Sequence, residues 1–378
     1  MSIVSDKERT GYMQAGVDAE KSIFHEMSSK GYEELVFWND DTVGLRAILS
    51  IHSTVLGPAL GGTRMYPYKT EEDAIRDVLR LSRAMTYKNS AAGLDLGGGK
   101  AVIIGDPASQ KSEGLFRSYG RFVQSLGGRY ITTTDVGTSI DDLLPISSET
   151  EFVTGLPENM GGGGGTSLPT AIGIMSGMKV CAKHAFSSSS LSGLSVAVQG
   201  LGKVGGYLVE YLVEAGAKVI VTDVNTNAVL EMQDKYGVRT VSPDEIFSVE
   251  CEIFSPNALG GVLNQNTIPK LRCTIVAGGA NNQLADDADG RALHERGILY
   301  APDYLLNAGG VINCAEELMG YNRERAFQRV ERIGEAIEKL LVLSKESNIP
   351  TSEAANNLAE QRIKTIAQIH RGFIPARK

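Results

Sequence analysis

The sequence predicts an α/β fold in two domains, and three observations carry that prediction. Apolar segments of strand length alternate with amphipathic segments of helical period along the chain. A glycine-rich turn over residues 200–205 joins one such strand directly to a helix. The 378 residues exceed the roughly 250–300 that one hydrophobic core organises. Glycine supplies 43 of them beside 42% hydrophobic residues, with no G-X-Y period, so the excess reflects local backbone demands and neither collagen nor disorder.

Taken in order, residues 34–51 (ELVFWNDDTVGLRAILSI) predict two strands joined at Asn39-Asp40-Asp41. Thr70 and Asp73 fit a capping box, and Ala74, Ile75, Val78, Leu79, Leu81 and Met85 follow at helical spacing. The chain is expected to leave that helix at Thr86-Tyr87-Lys88. A strand over 101–104, a helix over 112–126 and a strand over 130–134 ending at Asp135 continue the alternation. Gly161 to Gly165 then interrupts it. With no lysine or strand-to-helix context, this run predicts an inter-domain hinge in preference to a phosphate cradle. A helix over 169–185 leads to a strand over 194–199, the turn at Gly200 and a helix through Ala215. Strands are expected at 218–222, 252–254, 274–277 and 297–300. One amphipathic helix over 323–344 and a last helix after Pro350 close the chain. These elements divide it at residues 1–160 and 166–348, with the helix of 350–378 packing back on the first domain.

Composition removes several function classes. A net charge of −8 and an isoelectric point near 5.3 give no basic footprint for nucleic acid. Apolar runs such as 101–104 and 219–221 fall far short of the ~20 residues that span a bilayer. The N-terminal MSIVSDKERTGYMQ lacks the apolar core of a secretory signal, so a cytoplasmic protein is expected. Cys181, Cys251, Cys273 and Cys314 show no C-x-x-C spacing, and the histidines form no metal-binding pattern, so neither a disulfide framework nor a metal is expected.

Gly200-Leu-Gly-Lys-Val-Gly205 has the context that a lone G-x-G-x-x-G lacks, since a strand precedes it and a helix follows. Gly200 makes the turn, Gly202 admits a pyrophosphate to the backbone, and Gly205 lets helix and strand pack closely. The helix N-terminus offers its free N–H groups to the anion. Asp223 ends the next strand, where a carboxylate accepts hydrogen bonds from ribose hydroxyls and repels a 2′-phosphate. This predicts a Rossmann domain that binds NAD in preference to NADP. Gly97-Gly98-Gly99-Lys100 superficially suggests an ATP loop, but Leu94 stands where the first glycine is needed and Ala101 where magnesium needs a hydroxyl.

Lys88, Lys100 and Asp135 suit a small anionic substrate that must lose a proton, yet spacing alone does not separate them from surface residues. The segments Gly57-Pro-Ala-Leu-Gly-Gly-Thr-Arg64, Met85-Thr-Tyr-Lys88, Leu96-Gly-Gly-Gly-Lys100, Thr134-Asp-Val-Gly-Thr138, Gly278-Gly-Ala-Asn-Asn282 and Asn307-Ala-Gly-Gly-Val-Ile-Asn313 do so. In this order they resemble the glutamate, leucine, phenylalanine and valine dehydrogenase superfamily. The resemblance implies oxidative deamination of an amino acid to a 2-oxo acid and ammonia, in a catalytic cleft between an N-terminal substrate and oligomerisation domain and the Rossmann domain. It implies Lys88 as the binder of the α-carboxylate, Lys100 as general base and Asp135 as a proton carrier for the substrate nitrogen. Gly61 and Gly62 shape backbone against the substrate, and Asn281, Asn282 and Asn307 stand near substrate and nicotinamide. Lys203, Val204, Val224, Asn257 and Ala258 complete the expected cofactor contacts. A homo-oligomer is implied as well.

The residues also bear on which amino acid is used. Leu60 stands where glutamate-specific relatives carry a lysine, and burying an unpaired carboxylate there costs several kcal/mol. An apolar side chain is therefore expected, among Leu60, Thr133, Val311 and Cys314. Val311 and Asn313 match leucine-type relatives, and Thr133 fills a place where phenylalanine-type relatives tend to carry glycine, so the resemblance implies a branched aliphatic substrate of the leucine type. Gly200-Leu-Gly-Lys-Val-Gly205 and Gly260-Gly-Val262 look more like phenylalanine dehydrogenases, which keeps phenylalanine as the alternative. Thr133 and Asn257 depart from the family's usual residues. A non-catalytic NAD-binding protein would have lost Lys88, Lys100 or Asp135, and a 2-hydroxy acid dehydrogenase would need a supported catalytic histidine.

Overall fold

The computed structural model describes residues 22–369, so the N-terminal segment, His370 and the end of the last predicted helix lie outside the described residues. The first half opens with α1 (Ile23–Lys30), β1 (Glu34–Asp40), β2 (Leu45–Ser53) and β3 (Ala59–Tyr66). It continues through α2 (Glu71–Ala91), β4 (Gly97–Ile104), α3 (Glu113–Ser125), β5 (Tyr130–Thr134) and α4 (Ile140–Ser147). Its five strands form one sheet in the order β1-β2-β4-β3-β5. β1 and β2 are the expected hairpin, and β3 runs parallel to both β4 and β5. Phe116, Tyr119, Phe122 and Val123 of α3 pack in one cluster with Leu49, Ile51, Ala101 and Ile103 of the strands.

α2 and β4 extend furthest beyond their sequence limits. The Thr70 hydroxyl accepts the Asp73 N–H and caps α2, which is one of the two bonds of the expected capping box. The helix does not end at Met85, however, but runs to Ala91 and carries Lys88 in its last turn. Its apolar stripe stops early because the buried positions there are polar and specifically paired. Thr86 meets His52 Nδ1 at 2.8 Å, and Asn89 donates to the Gly97 carbonyl at 2.6 Å. β4 begins four residues before Ala101, so the three glycines are strand. A Cβ on Gly97 or Gly98 would run into Ser53 and Thr86, and this close fit outweighs glycine's poor strand propensity.

The second half contains α5 (Ser167–Phe186), β6 (Ser195–Gln199), α6 (Lys203–Glu214), β7 (Lys218–Thr222), α7 (Thr226–Tyr236), β8 (Arg239–Thr240), β9 (Ile253–Pro256) and β10 (Ile275–Val276). After these come α8 (Asp287–Glu295), β11 (Leu299–Tyr300), α9 (Asp303–Leu306) and α10 (Gly309–Glu317). The chain ends with α11 (Arg323–Glu331), α12 (Ile333–Ser347) and α13 (Thr351–Ala367). The second sheet is wholly parallel, in the order β11-β10-β9-β6-β7-β8. The chain leaves β6 in one direction and returns to β9 on its other side, so a crevice opens at the C-terminal ends of these two strands. The single helix expected over 323–344 is two helices, because the Ser176 hydroxyl takes the Glu331 carbonyl at 2.6 Å where the ladder would continue. α13 crosses back to α2, with Ser90 donating to the Ala359 carbonyl and Tyr87 to Glu360.

Candidate active site

Lys100 on β4, Arg64 on the neighbouring β3 and Asp135, just past the end of β5, come together in the first sheet. Lys100 lies on β4 and is only 4% exposed, with its Nζ 3.0 Å from Asp135 Oδ1. Arg64 Nε, from β3, donates to Asp135 Oδ2 at 2.8 Å. Burial alone would raise the Asp135 carboxyl, but the charges of Lys100 and Arg64 outweigh it and hold the pKa at about 2. Arg64 also reaches Asp77, which accepts the Tyr68 hydroxyl at 2.6 Å. Sequence reasoning quoted Arg64 within a motif without assigning it a role, and missed Asp77 and Tyr68, whose contacts arise only when α2 folds over β3.

Lys88 projects from the last turn of α2 and joins the two halves. Its Nζ donates to Asn307 Oδ1 at 2.6 Å. The Asn307 amide donates in turn to Asn281 Oδ1 at 2.7 Å and to the Gly279 carbonyl. Burial depresses the Lys88 pKa to about 8; nearby Lys100 lowers it as well, while Asp303 and Asp135 raise it. Asp303 is a further residue that sequence reasoning missed. Its buried carboxylate accepts the N–H groups of Gln283 and Tyr304 at 2.9 and 2.7 Å, and burial raises its pKa. It thereby braces the loop in which Asn282 takes the left-handed conformation, φ 53°.

The residues expected around the substrate side chain come from both halves. Leu60 is fully buried and belongs to a cluster that also contains Val311. Thr133 Oγ1 lies 3.6 Å from Cys314 Sγ, so the hydroxyl that departs from the family pattern has a sulfur partner. Burial pushes the Cys314 thiol up to about 12 and keeps it neutral. Gly61 and Gly62 are required by the sheet itself. A Cβ on Gly61 would strike the Gly99 carbonyl, and one on Gly62 would lie 2.9 Å from the Asp135 Cβ.

The crevice of the second sheet holds the dinucleotide motif. Gly200 has φ 94°, and a Cβ there would come within 2.8 Å of Ala258 and Asn257. A Cβ on Gly202, by contrast, would meet nothing within 4 Å, so open space adjoins the start of α6, whose N-terminus has no side-chain cap. Backbone amides beside open space fit a pyrophosphate. The Asp223 carboxylate accepts the Leu201 and Asn225 N–H groups at 2.6 and 2.7 Å, which fixes it at the end of β7. Asn257 accepts the Gly279 N–H and donates to Ser255, tying the end of β9 to the loop of Asn281. Lys203 and Ala258 are exposed, Val204 is half-buried, and Val224 is 88% exposed beside Asp223. Among the described residues, no group of His, Cys, Asp and Glu side chains is arranged to hold a metal, and no helix is long and apolar enough to cross a membrane.

Comparison with known proteins agrees with this arrangement. Over 352 residues the chain is 52% identical to leucine dehydrogenase of Geobacillus stearothermophilus, covering 93% of this chain and 96% of that one. It is 49% identical over 348 residues to phenylalanine dehydrogenase of Bacillus thermotolerans, covering 91% of each. The crystal structure of L-tryptophan dehydrogenase from Nostoc punctiforme matches with a TM-score of 0.81 at 42% identity, over 92% of this chain and 100% of that one. The protein is an amino acid dehydrogenase. Residues 34–152 match the Glu/Leu/Phe/Val dehydrogenase dimerisation domain and residues 222–372 the Glutamate/Leucine/Phenylalanine/Valine dehydrogenase domain, so the chain belongs to that family.

Proposed function

We propose that this enzyme carries out the reversible, NAD-dependent oxidative deamination of an apolar L-amino acid, with a branched aliphatic side chain of the leucine type. The observation that carries the reading is the convergence of Lys88, Lys100 and Asp135, together with two pairings expected at the side chain, Leu60 with Val311 and Thr133 with Cys314, none of which is a cation. In this reading the Lys88 ammonium binds the α-carboxylate. Asp135, kept ionised by Lys100 and Arg64, faces the substrate nitrogen and takes its proton. A bound nicotinamide supplies the acceptor for the hydride that leaves Cα. In its neutral amine form Lys100 then removes a proton from the water that attacks the imino carbon, and the adduct breaks down to 2-oxo acid and ammonia. Amides at the start of α6, with Gly200, Gly202 and Gly205, would hold the pyrophosphate, and Asp223 the ribose hydroxyls.

The relatives' names support the substrate class, and the match to a dimerisation domain supports a homo-oligomer. We place the enzyme in the cytoplasm and keep the domain limits at 1–160 and 166–348. The test is a panel of L-amino acids with NAD or NADP at about pH 8, where the Lys88 ammonium is still available, followed at the reduced-nicotinamide band. Leucine, isoleucine and valine with NAD should exceed phenylalanine, and the reverse reaction should require ammonium. Silence across the panel, or reduction of a 2-oxo acid without ammonium, would refute the reading.

A further inference from the structure

Gly161 to Gly165 lies in the segment that leaves the first sheet and enters α5, where a loose hinge was expected. The structure shows a docked segment. Glu317, the last residue of α10, directs its carboxylate at the backbone. Its oxygens accept the Gly155 N–H at 2.9 and 3.0 Å, the Gly163 N–H at 2.8 Å and the Leu156 N–H at 3.4 Å. The Gly163 carbonyl accepts the Asn313 side-chain amide at 3.0 Å, and Asn313 Oδ1 accepts the Tyr321 hydroxyl at 2.9 Å. Both backbone groups of Gly163 are therefore paired with α10. A Cβ there would be driven into Asn313 and would lie 2.8 Å from the Tyr321 ring, whereas one on Gly165 would meet nothing within 4 Å.

The position of Glu317 is unfavourable without these partners. A carboxylate at a helix C-terminus opposes the helix dipole, and partial burial of a charge is costly unless hydrogen bonds replace its water. The amides of the glycine-bearing segment replace them, so the segment is a cradle whose anion belongs to the protein itself. What it holds is close to the reaction site. A Cβ on Gly155 would sit 2.7 Å from Thr133 Oγ1 and 3.9 Å from Cys314 Sγ, so Gly155 backs the two residues assigned to the substrate side chain. Cys314 and Val311 lie on α10 with Glu317.

We propose that Glu317 is a positioning residue: by clamping Gly155, Leu156 and Gly163 onto α10, its carboxylate fixes the back wall of the substrate side-chain pocket and the conformation of the segment between the sheets. The clamp stands on geometry alone; its effect on selectivity rests on the proposed function.

The experiment compares Glu317→Gln, Glu317→Ala, Gly163→Ala and Gly165→Ala in the full-length protein. Hydrogen exchange is followed over residues 154–164, together with dinucleotide binding and kcat/KM for L-norvaline, L-leucine and L-phenylalanine. The two Glu317 variants and Gly163→Ala should exchange at least tenfold faster in that segment and change the ratios among the three substrates about tenfold, the scale of a methylene-sized change in a pocket. Dinucleotide affinity should stay within about threefold, and Gly165→Ala should match the parent in every measurement. If a Glu317 variant does not fold, Gly163→Ala tests the same contact from its other side. Unchanged exchange in Glu317→Gln overturns the clamp, and faster exchange with unchanged substrate ratios overturns its role in the pocket. If the parent turns over no amino acid, the proposed function fails while the exchange measurement still decides the clamp.

Discussion

Asn307 accepts a 2.6 Å hydrogen bond from Lys88, although the two residues stand 219 positions apart. The partner's neutrality matters. A carboxylate at this place would cancel the ammonium charge, whereas an amide oxygen orients the lysine and leaves its charge available to a substrate anion. The same amide donates to Asn281, so one side chain aligns α2 with the second sheet's loop.

Replacing Asn307 tests both consequences. Hydrogen bonds to charged groups contribute roughly 1.5–3 kcal/mol, so Asn307→Ala should raise the amino acid KM about tenfold to a hundredfold. Asn307→Asp keeps an acceptor but adds a negative charge facing the bound carboxylate, and should impair binding further than alanine does. Steady-state kinetics measure both. A KM for Asn307→Asp equal to the parent's would mean that Lys88 does not receive the carboxylate.

The depressed pKa of Lys88 gives a pH dependence with a definite sign. Only the ammonium attracts a carboxylate, so binding is intact below about pH 8 and is lost above it. A branched carboxylate without an amino group isolates this step from titration of the substrate, and its inhibition constant should rise about tenfold per pH unit above that point. Asp303, Lys100 and Asp135 all act on Lys88. Removing the Asp303 charge withdraws support for the ammonium, so Asp303→Asn should move the rise to lower pH. An unmoved profile would remove Asp303 from the control of Lys88.

The β6 turn and Asp223 were legible in the sequence because their constraints are local: a turn, a helix start and a strand end within one supersecondary unit. The β1–β2 hairpin was legible through alternation of apolar residues. The end of α2 was hidden because Thr86, Asn89 and Ser90 are buried through hydrogen bonds to distant groups, which periodicity cannot register. Asp303 and Glu317 escaped for a related reason. Their partners are backbone N–H groups, which carry no residue identity.

His52 gives a stability prediction apart from catalysis. It is 8% exposed and packs edge-on to Tyr32 at 4.9 Å. Burial lowers its pKa from 6.5 to about 4. The folded state therefore holds it neutral while the unfolded chain takes up a proton below pH 6.5, so stability is full above that pH and falls as pH drops toward 4. A shift of this size corresponds to about 3 kcal/mol. Urea unfolding at pH 7 and 4.5 should show a smaller acid loss in His52→Gln than in the parent. Equal losses would mean that His52 does not titrate in this range.

Thr133 separates volume from polarity in the proposed pocket. Its hydroxyl meets Cys314 Sγ at 3.6 Å, a weak partner that gives up little when the hydroxyl is removed. Thr133→Val keeps the shape and deletes the hydroxyl, so the ratio of kcat/KM for leucine and phenylalanine should stay within about threefold of the parent's. Thr133→Gly removes the whole side chain beside Cys314 in the proposed pocket. Since one methylene's space changes selectivity roughly 10- to 200-fold, that variant should move the ratio toward phenylalanine by at least tenfold. If valine moves the ratio as far as glycine does, polarity sets the preference. If neither moves it, Thr133 does not face the substrate side chain.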